Sequence, residues 1–182
     1  MAEVILLSYI LKHYDSDLLK FNIEKTFDGI AVKLLWANKE KEKLLPLGME
    51  SNEESIRKWL KARTIPSNRA YVQNFLAKLG LNEKDTKGII DICKGLSLND
   101  CYWVVDENFK GTFDSVNLYD NHFSRTLAYI AFTGYGSSIR STFRSSPEFT
   151  TNGMLAKCWK RENGKILLYK SGTEGFANSG NE

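Results

Sequence analysis

Residues 149–170 read Phe149-Thr-Thr-Asn-Gly-Met-Leu-Ala-Lys-Cys-Trp-Lys-Arg-Glu-Asn-Gly-Lys-Ile-Leu-Leu-Tyr-Lys170. Two segments in this stretch, 155–161 and 165–169, have the composition of strands. The dipeptide Asn163-Gly164 between them is the pair most favoured in tight hairpin turns. The stretch therefore predicts an antiparallel hairpin that is preceded by a loop and closed by a lysine.

The loop before the hairpin has the chemistry of a phosphate-binding turn. Thr150, Thr151, Asn152 and Gly153 offer two hydroxyl groups and a glycine whose backbone can approach a ligand closely. Lys170 would be an ammonium at the end of a buried apolar strand, where it requires an anion such as a nucleotide phosphate or a carboxylate partner. A glycine before a hairpin and a lysine after it also occur in proteins without a ligand, so a purely structural role stays open.

The same residues resemble the nucleotide loop of the HipA-like serine/threonine kinases. In that family a loop of the form Ser-x-x-Gly-x-x-x-Lys precedes a strand pair, and the second strand ends in a nucleotide-binding lysine. Gly153 and Lys157 match the loop, Lys170 matches the strand lysine, and Thr150 stands at the position of the loop serine. The resemblance is firmest over 132–180, and Met154-Leu155 replaces the Ala-Gln pair common in the family.

The resemblance implies a function and a set of partners. This chain would be the N-terminal, nucleotide-binding portion of such a kinase, in a toxin-antitoxin or phage-related context, with ATP and Mg²⁺ as cofactors. The catalytic acids and the Mg²⁺ ligands would come from a C-terminal kinase lobe beyond residue 182, so residues 1–182 are expected to be inactive by themselves. Thr150 or Thr151 would be the regulatory phosphorylation site, and an antitoxin or a DNA-binding protein would be a further partner.

Composition places the chain among ordinary globular proteins. It has 182 residues, 42% of them hydrophobic, and a net charge of +3. The cysteines Cys93, Cys101 and Cys158 form no Cys-x-x-Cys pair, which favours reduced thiols, no metal site and a cytoplasmic location. The apolar N-terminal run is too short to span a bilayer, so no membrane association is expected. Eight basic residues against two acidic ones lie between Arg125 and Lys170, a bias that suits a polyanion.

The pattern along the chain predicts an α+β fold in three regions. Region 1–48 reads as an antiparallel meander with strands at 4–12, 18–25, 30–36 and a short returning strand at 44–47. Region 49–97 reads as three helices, which Asn52 (or Ser51), Asn68 and Asn82 would cap. Region 98–182 reads as a kinase-like small lobe, with a strand at 101–106, a helix capped by Asp120 or Asn121, and the hairpin.

Two other functions remain open. The helical region could read DNA as a helix-turn-helix module, because it carries many basic side chains, although acidic residues dilute them. These basic residues are Lys58, Lys61, Arg63, Arg69, Lys78, Lys84, Lys87 and Lys94. The chain could also be a regulatory, antitoxin-like module that binds and neutralises a separate kinase chain.

Overall fold

A computed structural model describes residues 7–140, 142–144 and 146–172. The beginning of the strand predicted at 4–12, and the end of the stretch that resembles the HipA-like kinases, lie outside these residues. No described helix is long and apolar enough to cross a membrane. The fold is α+β, as the sequence predicts, with one four-stranded antiparallel sheet, a separate two-stranded hairpin and helices between them.

The four-stranded sheet contains the predicted meander and one strand from much later in the chain. Its strands are β1 (Ser8–His13), β2 (Ser16–Thr26), β3 (Gly29–Ala37) and β4 (Tyr102–Asp106), in the order β3-β2-β1-β4. All neighbours are antiparallel. Because β4 pairs with β1, the region from residue 98 onward contributes a strand to the N-terminal sheet.

The prediction of a short returning strand at 44–47 is wrong. A 3-10 helix, Lys39–Leu44, follows β3 and leads into a turn. Pro46 has no amide hydrogen to donate to a strand ladder, and Leu47 is fully exposed instead of packing on the sheet.

Four α-helices follow the predicted pattern, but most of the predicted caps are wrong. The helices are α1 (Glu53–Ala62), α2 (Val72–Ala77), α3 (Thr86–Cys93) and α4 (Arg125–Thr133). Asn52 caps α1 as predicted, by accepting a hydrogen bond from the amide of Ser55.

The other three helices begin later than predicted. Asp85 caps α3 and Ser124 caps α4. Asn82, Asp120 and Asn121 instead hydrogen-bond within the turns that precede these helices. Tyr71, in the left-handed conformation, precedes α2 in place of Asn68. Side chains that form local turns compete with caps, and the sequence does not distinguish the two uses.

The core consists of three clusters, two of them on opposite faces of the sheet. Ile56 and Leu60 of α1 and Ile90 of α3 pack against one face. Trp103 and Val105 of β4 pack with Phe113 on the other face. The third cluster joins α2, α3 and α4 around Phe149, which is completely buried. This cluster fixes the start of the loop that leads to the hairpin.

The hairpin forms as predicted. Its strands are β5 (Lys157–Glu162) and β6 (Lys165–Lys170), and they pair in the register Lys157 to Lys170 through Glu162 to Lys165. Both Asn163 and Gly164 have positive φ angles, of 50° and 74°, as a two-residue hairpin turn requires. The hairpin packs on α4 and on a 3-10 helix, Pro147–Phe149, at the start of the loop.

Candidate functional site

The turn at Asn152 and Gly153 is built around the side chain of Lys157. Gly153 has a φ angle of +101°, and a Cβ atom at this position would lie 2.5 Å from Lys157 Nζ. Lys157 Nζ donates a hydrogen bond of 2.6 Å to the backbone carbonyl of Asn152. The glycine therefore allows the turn to pass directly over the lysine ammonium.

Lys157 is an almost fully buried cation. Its relative exposure is 4%, and it forms no ion pair with any acid in the described part of the chain. Burial lowers the pKa of Lys157 below its ordinary value, and the positive charges of Arg69 and Lys170 lower it further. An anion at this place would relieve both effects.

Lys170 lies beside Lys157 but is not buried. The two residues are directly opposite each other in the antiparallel pair, so their side chains leave the same face of the hairpin. The prediction of a buried apolar strand that ends in a desolvated lysine is wrong, because β6 is only half-buried and Lys170 is exposed. A hairpin of two strands covers less surface than a full sheet, and the buried ammonium is Lys157 instead.

Arg69 contacts the turn, although the sequence analysis did not select it as a residue of the candidate site. Its side chain is 3% exposed; Nη1 donates to the carbonyl of Glu148 at 2.9 Å and Nε donates to the carbonyl of Gly153 at 3.3 Å. Nη2 is buried without a hydrogen-bond partner. Burial lowers the pKa of Arg69 to about 10, although the Glu148 carboxylate opposes this change. The residue belongs to no local motif, since it precedes the loop by about 80 residues, and no sequence signal distinguished it from the other basic residues of the helical region.

Glu148 fastens the loop to the hairpin. It is fully buried, and its carboxylate accepts hydrogen bonds from the Ser146 hydroxyl at 2.5 Å and from the backbone N–H of Trp159 at 2.8 Å. Burial raises the pKa of Glu148, although these two hydrogen bonds act in the opposite direction. Glu148 was not a candidate from the sequence.

The hydroxyl groups of the two threonines hold the loop in place. Thr150 Oγ1 donates to the carbonyl of Leu96 at 2.8 Å. Thr151 Oγ1 donates to the carbonyl of Pro147 at 2.6 Å and accepts a hydrogen bond of 2.7 Å from Trp159 Nε1. In this conformation, adding a phosphate to either hydroxyl would break these contacts.

A cleft of about 770 Å³ opens beside the turn, and we call it the turn cleft. Its lining residues come from the segment before α2 and the first turn of this helix, from α4, from the end of the loop and from the residues after β6. They are 67–74, Phe132, 154–156, Ser171 and Gly172. Arg69 links the turn to the turn cleft, because it lines the cleft and its Nε also donates to the carbonyl of Gly153. The volume is within the range of small-ligand sites, roughly 300–1,000 Å³.

The site fits a phosphate group better than it fits a metal ion. It brings together three cations, a glycine that lets the backbone approach closely and an unsatisfied guanidinium nitrogen. Glu148 is the one carboxylate with a direct contact to the loop in the described structure, and it is already hydrogen-bonded. No group of three or more histidine, cysteine or acidic residues within the described ranges could hold a metal ion.

Several of the basic residues predicted for the helical region are buried or paired with acids. Arg69 and Lys94 are buried, and Lys94 lies over the ring of Phe109 at 4.3 Å. Arg63 pairs with Asp100, and Lys87 pairs with Asp91 at 2.9 Å. Most of α3, the third of the three helices, is buried in the core.

Comparison of the chain with protein-family models, with curated proteins and with solved structures finds no match in any of the three.

Proposed function

We propose that this chain binds the phosphate groups of a nucleotide at the turn formed by Asn152 and Gly153, as the nucleotide-binding portion of a HipA-like serine/threonine kinase. The observation that carries the proposal is the buried ammonium of Lys157. Arg69 and Lys170 are nearby cations, and no acidic residue among the described ones pairs with this ammonium. A bound anion would offset the free-energy cost of burying its charge.

Each residue of the site has a role in this proposal. Gly153 lets the backbone pass over the Lys157 ammonium, Lys157 and Lys170 supply positive charge from one face of the hairpin, and Arg69 holds the turn. Thr150 and Thr151 fix the loop through their hydroxyl groups. Magnesium and the phosphoryl-transfer step would be the task of acidic residues in a further lobe, as the resemblance implies.

A titration with ATP tests the proposal. The Lys170→Ala variant should bind ATP about tenfold more weakly than the unmodified chain, because a hydrogen bond to a charged group contributes roughly 1.5–3 kcal/mol. Lys165→Ala is the matched control, since Lys165 is also exposed and lies at the other end of the same strand. Isothermal titration calorimetry measures both.

Two results of this titration would contradict the proposal. If ATP does not bind, or if Lys165→Ala weakens binding as much as Lys170→Ala does, the turn is not a phosphate site. Lys170 is exposed, so its replacement leaves the packing of the hairpin intact and the comparison does not depend on folding.

A further inference from the structure

A second cleft lies between α4 and the hairpin, and we call it the aromatic cleft. Its volume is about 910 Å³. The lining residues are His122, Phe123, Arg125, Ala128, Tyr129, Phe132, Thr133, 158–162 and Tyr169. Ala128 and Cys158 are buried, whereas Tyr129 is 59% exposed.

The aromatic cleft does not include the lysines of the turn, because neither Lys157 nor Lys170 lines it. Side chains alternate between the two faces of a strand, so Cys158, Lys160 and Tyr169 leave the face opposite to Lys157 and Lys170, whereas Trp159 and Arg161 leave the same face as these lysines. Phe132 lines both this cleft and the turn cleft. A ligand in the aromatic cleft would therefore lie next to the proposed phosphate site without requiring its two lysines.

Aromatic rings form both walls of this cleft. Tyr129 and Phe132 lie on the helix side, and Tyr169 lies on the hairpin side, with 37% of its surface exposed. Phe123 and Trp159 extend this aromatic lining. Exposed rings of this kind offer flat apolar surfaces on which planar groups can stack.

Positive charge accompanies the rings. Arg125, Lys160 and Arg161 line the cleft, and Glu162 is the only acidic residue among the lining residues. Lys160 Nζ lies over the Tyr169 ring, 4.6 Å from its centre, so a cation already covers one face of this ring, and the Tyr169 hydroxyl donates to Glu162 at 3.1 Å. The guanidinium of Arg125 forms no hydrogen bond or ion pair with any residue that the structure describes, so it is available to a ligand.

We propose that the aromatic cleft binds a short segment of single-stranded nucleic acid. One base would stack on Tyr129, and a second would stack on Tyr169 once Lys160 Nζ leaves the ring to contact a phosphate. Arg125 would contact a further phosphate. Single-stranded nucleic acids are bound by this combination of exposed aromatic rings and basic side chains. An acidic peptide would satisfy the charges but would not use the rings on both walls, and duplex DNA presents no free base faces.

The test uses a fluorescently labelled oligothymidine of about eight nucleotides, a length within the range of roughly 4–16 nucleotides that single-strand sites cover. Fluorescence anisotropy measures its binding to the full chain. Tyr129→Ala should weaken binding about tenfold, because one stacked base contributes substantially to affinity. Tyr135→Ala is the matched control, since Tyr135 is 74% exposed and does not line the aromatic cleft.

The salt dependence provides a second readout. Each phosphate that is neutralised contributes roughly −0.7 to the slope of log affinity against log salt for a single strand. Arg125→Gln should therefore make the slope shallower by about 0.7. Tyr129→Ala should leave the slope unchanged, and Lys165→Gln should change neither slope nor affinity.

Several results would overturn the proposal. These are no binding of the oligonucleotide at low salt, equal binding by Tyr129→Ala and Tyr135→Ala, equally tight binding of a duplex of the same length, or displacement by polyglutamate as effective as by unlabelled oligonucleotide. A loss of oligonucleotide binding in Lys170→Ala would place the oligonucleotide at the turn and would also overturn it. Failure of ATP to bind at the turn would leave this proposal unaffected, since neither Lys157 nor Lys170 lines the aromatic cleft.

Discussion

Lys157 is the residue on which the candidate site depends. A lysine that is 96% buried normally has an acidic partner, but this one has a backbone carbonyl and two neighbouring cations. Such an arrangement does not stabilise the free protein. In the proposed function, the phosphates of the nucleotide supply the missing anion.

The first prediction separates a binding role of Lys157 from a structural one. Lys157→Met removes the buried charge and keeps most of the side-chain volume. We expect the free energy of unfolding, measured by urea denaturation, to stay the same or to rise by about 1 kcal/mol, because a buried charge without a partner is unfavourable. ATP binding by the same variant should decrease. A clear loss of stability would mean that Lys157 serves the fold.

Glu148 gives a prediction about pH. Its pKa is raised in the folded protein, so its contribution to stability is fully present below the unfolded value of about 4.3 and is lost as the pH rises through the folded value. Glu148→Gln removes this dependence and keeps an oxygen that can accept from the Trp159 amide.

Urea denaturation of both proteins between about pH 4 and pH 8 measures the effect, because raised carboxyl pKa values fall within roughly this range. The free energy of unfolding of the unmodified chain, minus that of Glu148→Gln, should fall as the pH rises and then level off. A difference that grows with pH would show that the folded state favours the ionised carboxylate.

At the scale of the element, the loop before the hairpin is held at both ends. Glu148 and Thr151 join it to Trp159 of β5, and Arg69 joins it to the segment before α2. Gly153 is itself one of the anchored residues, because its carbonyl accepts from Arg69, and it has a positive φ angle. The loop is thus a fixed part of the hairpin unit rather than a separate connection.

Gly153→Ala tests this description of the loop. The added Cβ would require an unfavourable backbone conformation and would displace Lys157 Nζ. We expect a loss of about 1–3 kcal/mol in the free energy of unfolding. Gly172→Ala is the control, since a Cβ there meets no atom within 4 Å and the backbone has no positive φ angle. Equal stability of the two variants would mean that the turn adapts easily.

At the scale of the whole molecule, periodic patterns predicted the elements better than they predicted the contacts between them. The hairpin, all four strands of the sheet and the helical stripes follow from strand composition, alternation, helical spacing and the Asn163-Gly164 pair. The pairing of β4 with β1 joins residues about 90 positions apart, and no local pattern encodes it. The burial of Lys157 and the exposure of Lys170 depend on which strand is covered, which is also a tertiary property.

The candidate site shows the same division. Gly153, Lys157 and Lys170 could be selected as candidates from the sequence because they lie in one short motif. Arg69 and Glu148 were not, because Arg69 reaches the loop only through the packing of α2 against α4 and Phe149, and Glu148 appears as an ordinary charged residue until the hairpin covers it.

The most direct test of the account is the pKa of the Lys157 ammonium, followed by NMR through its 13Cε chemical shift with and without ATP. Lys157→Met assigns the signal by its loss. We predict a pKa below the ordinary lysine value of about 10.4 in the free protein, and a rise when ATP binds, because the phosphates replace the missing anion. A pKa that stays the same at saturating ATP would contradict the account, since the buried ammonium would then not face the phosphates.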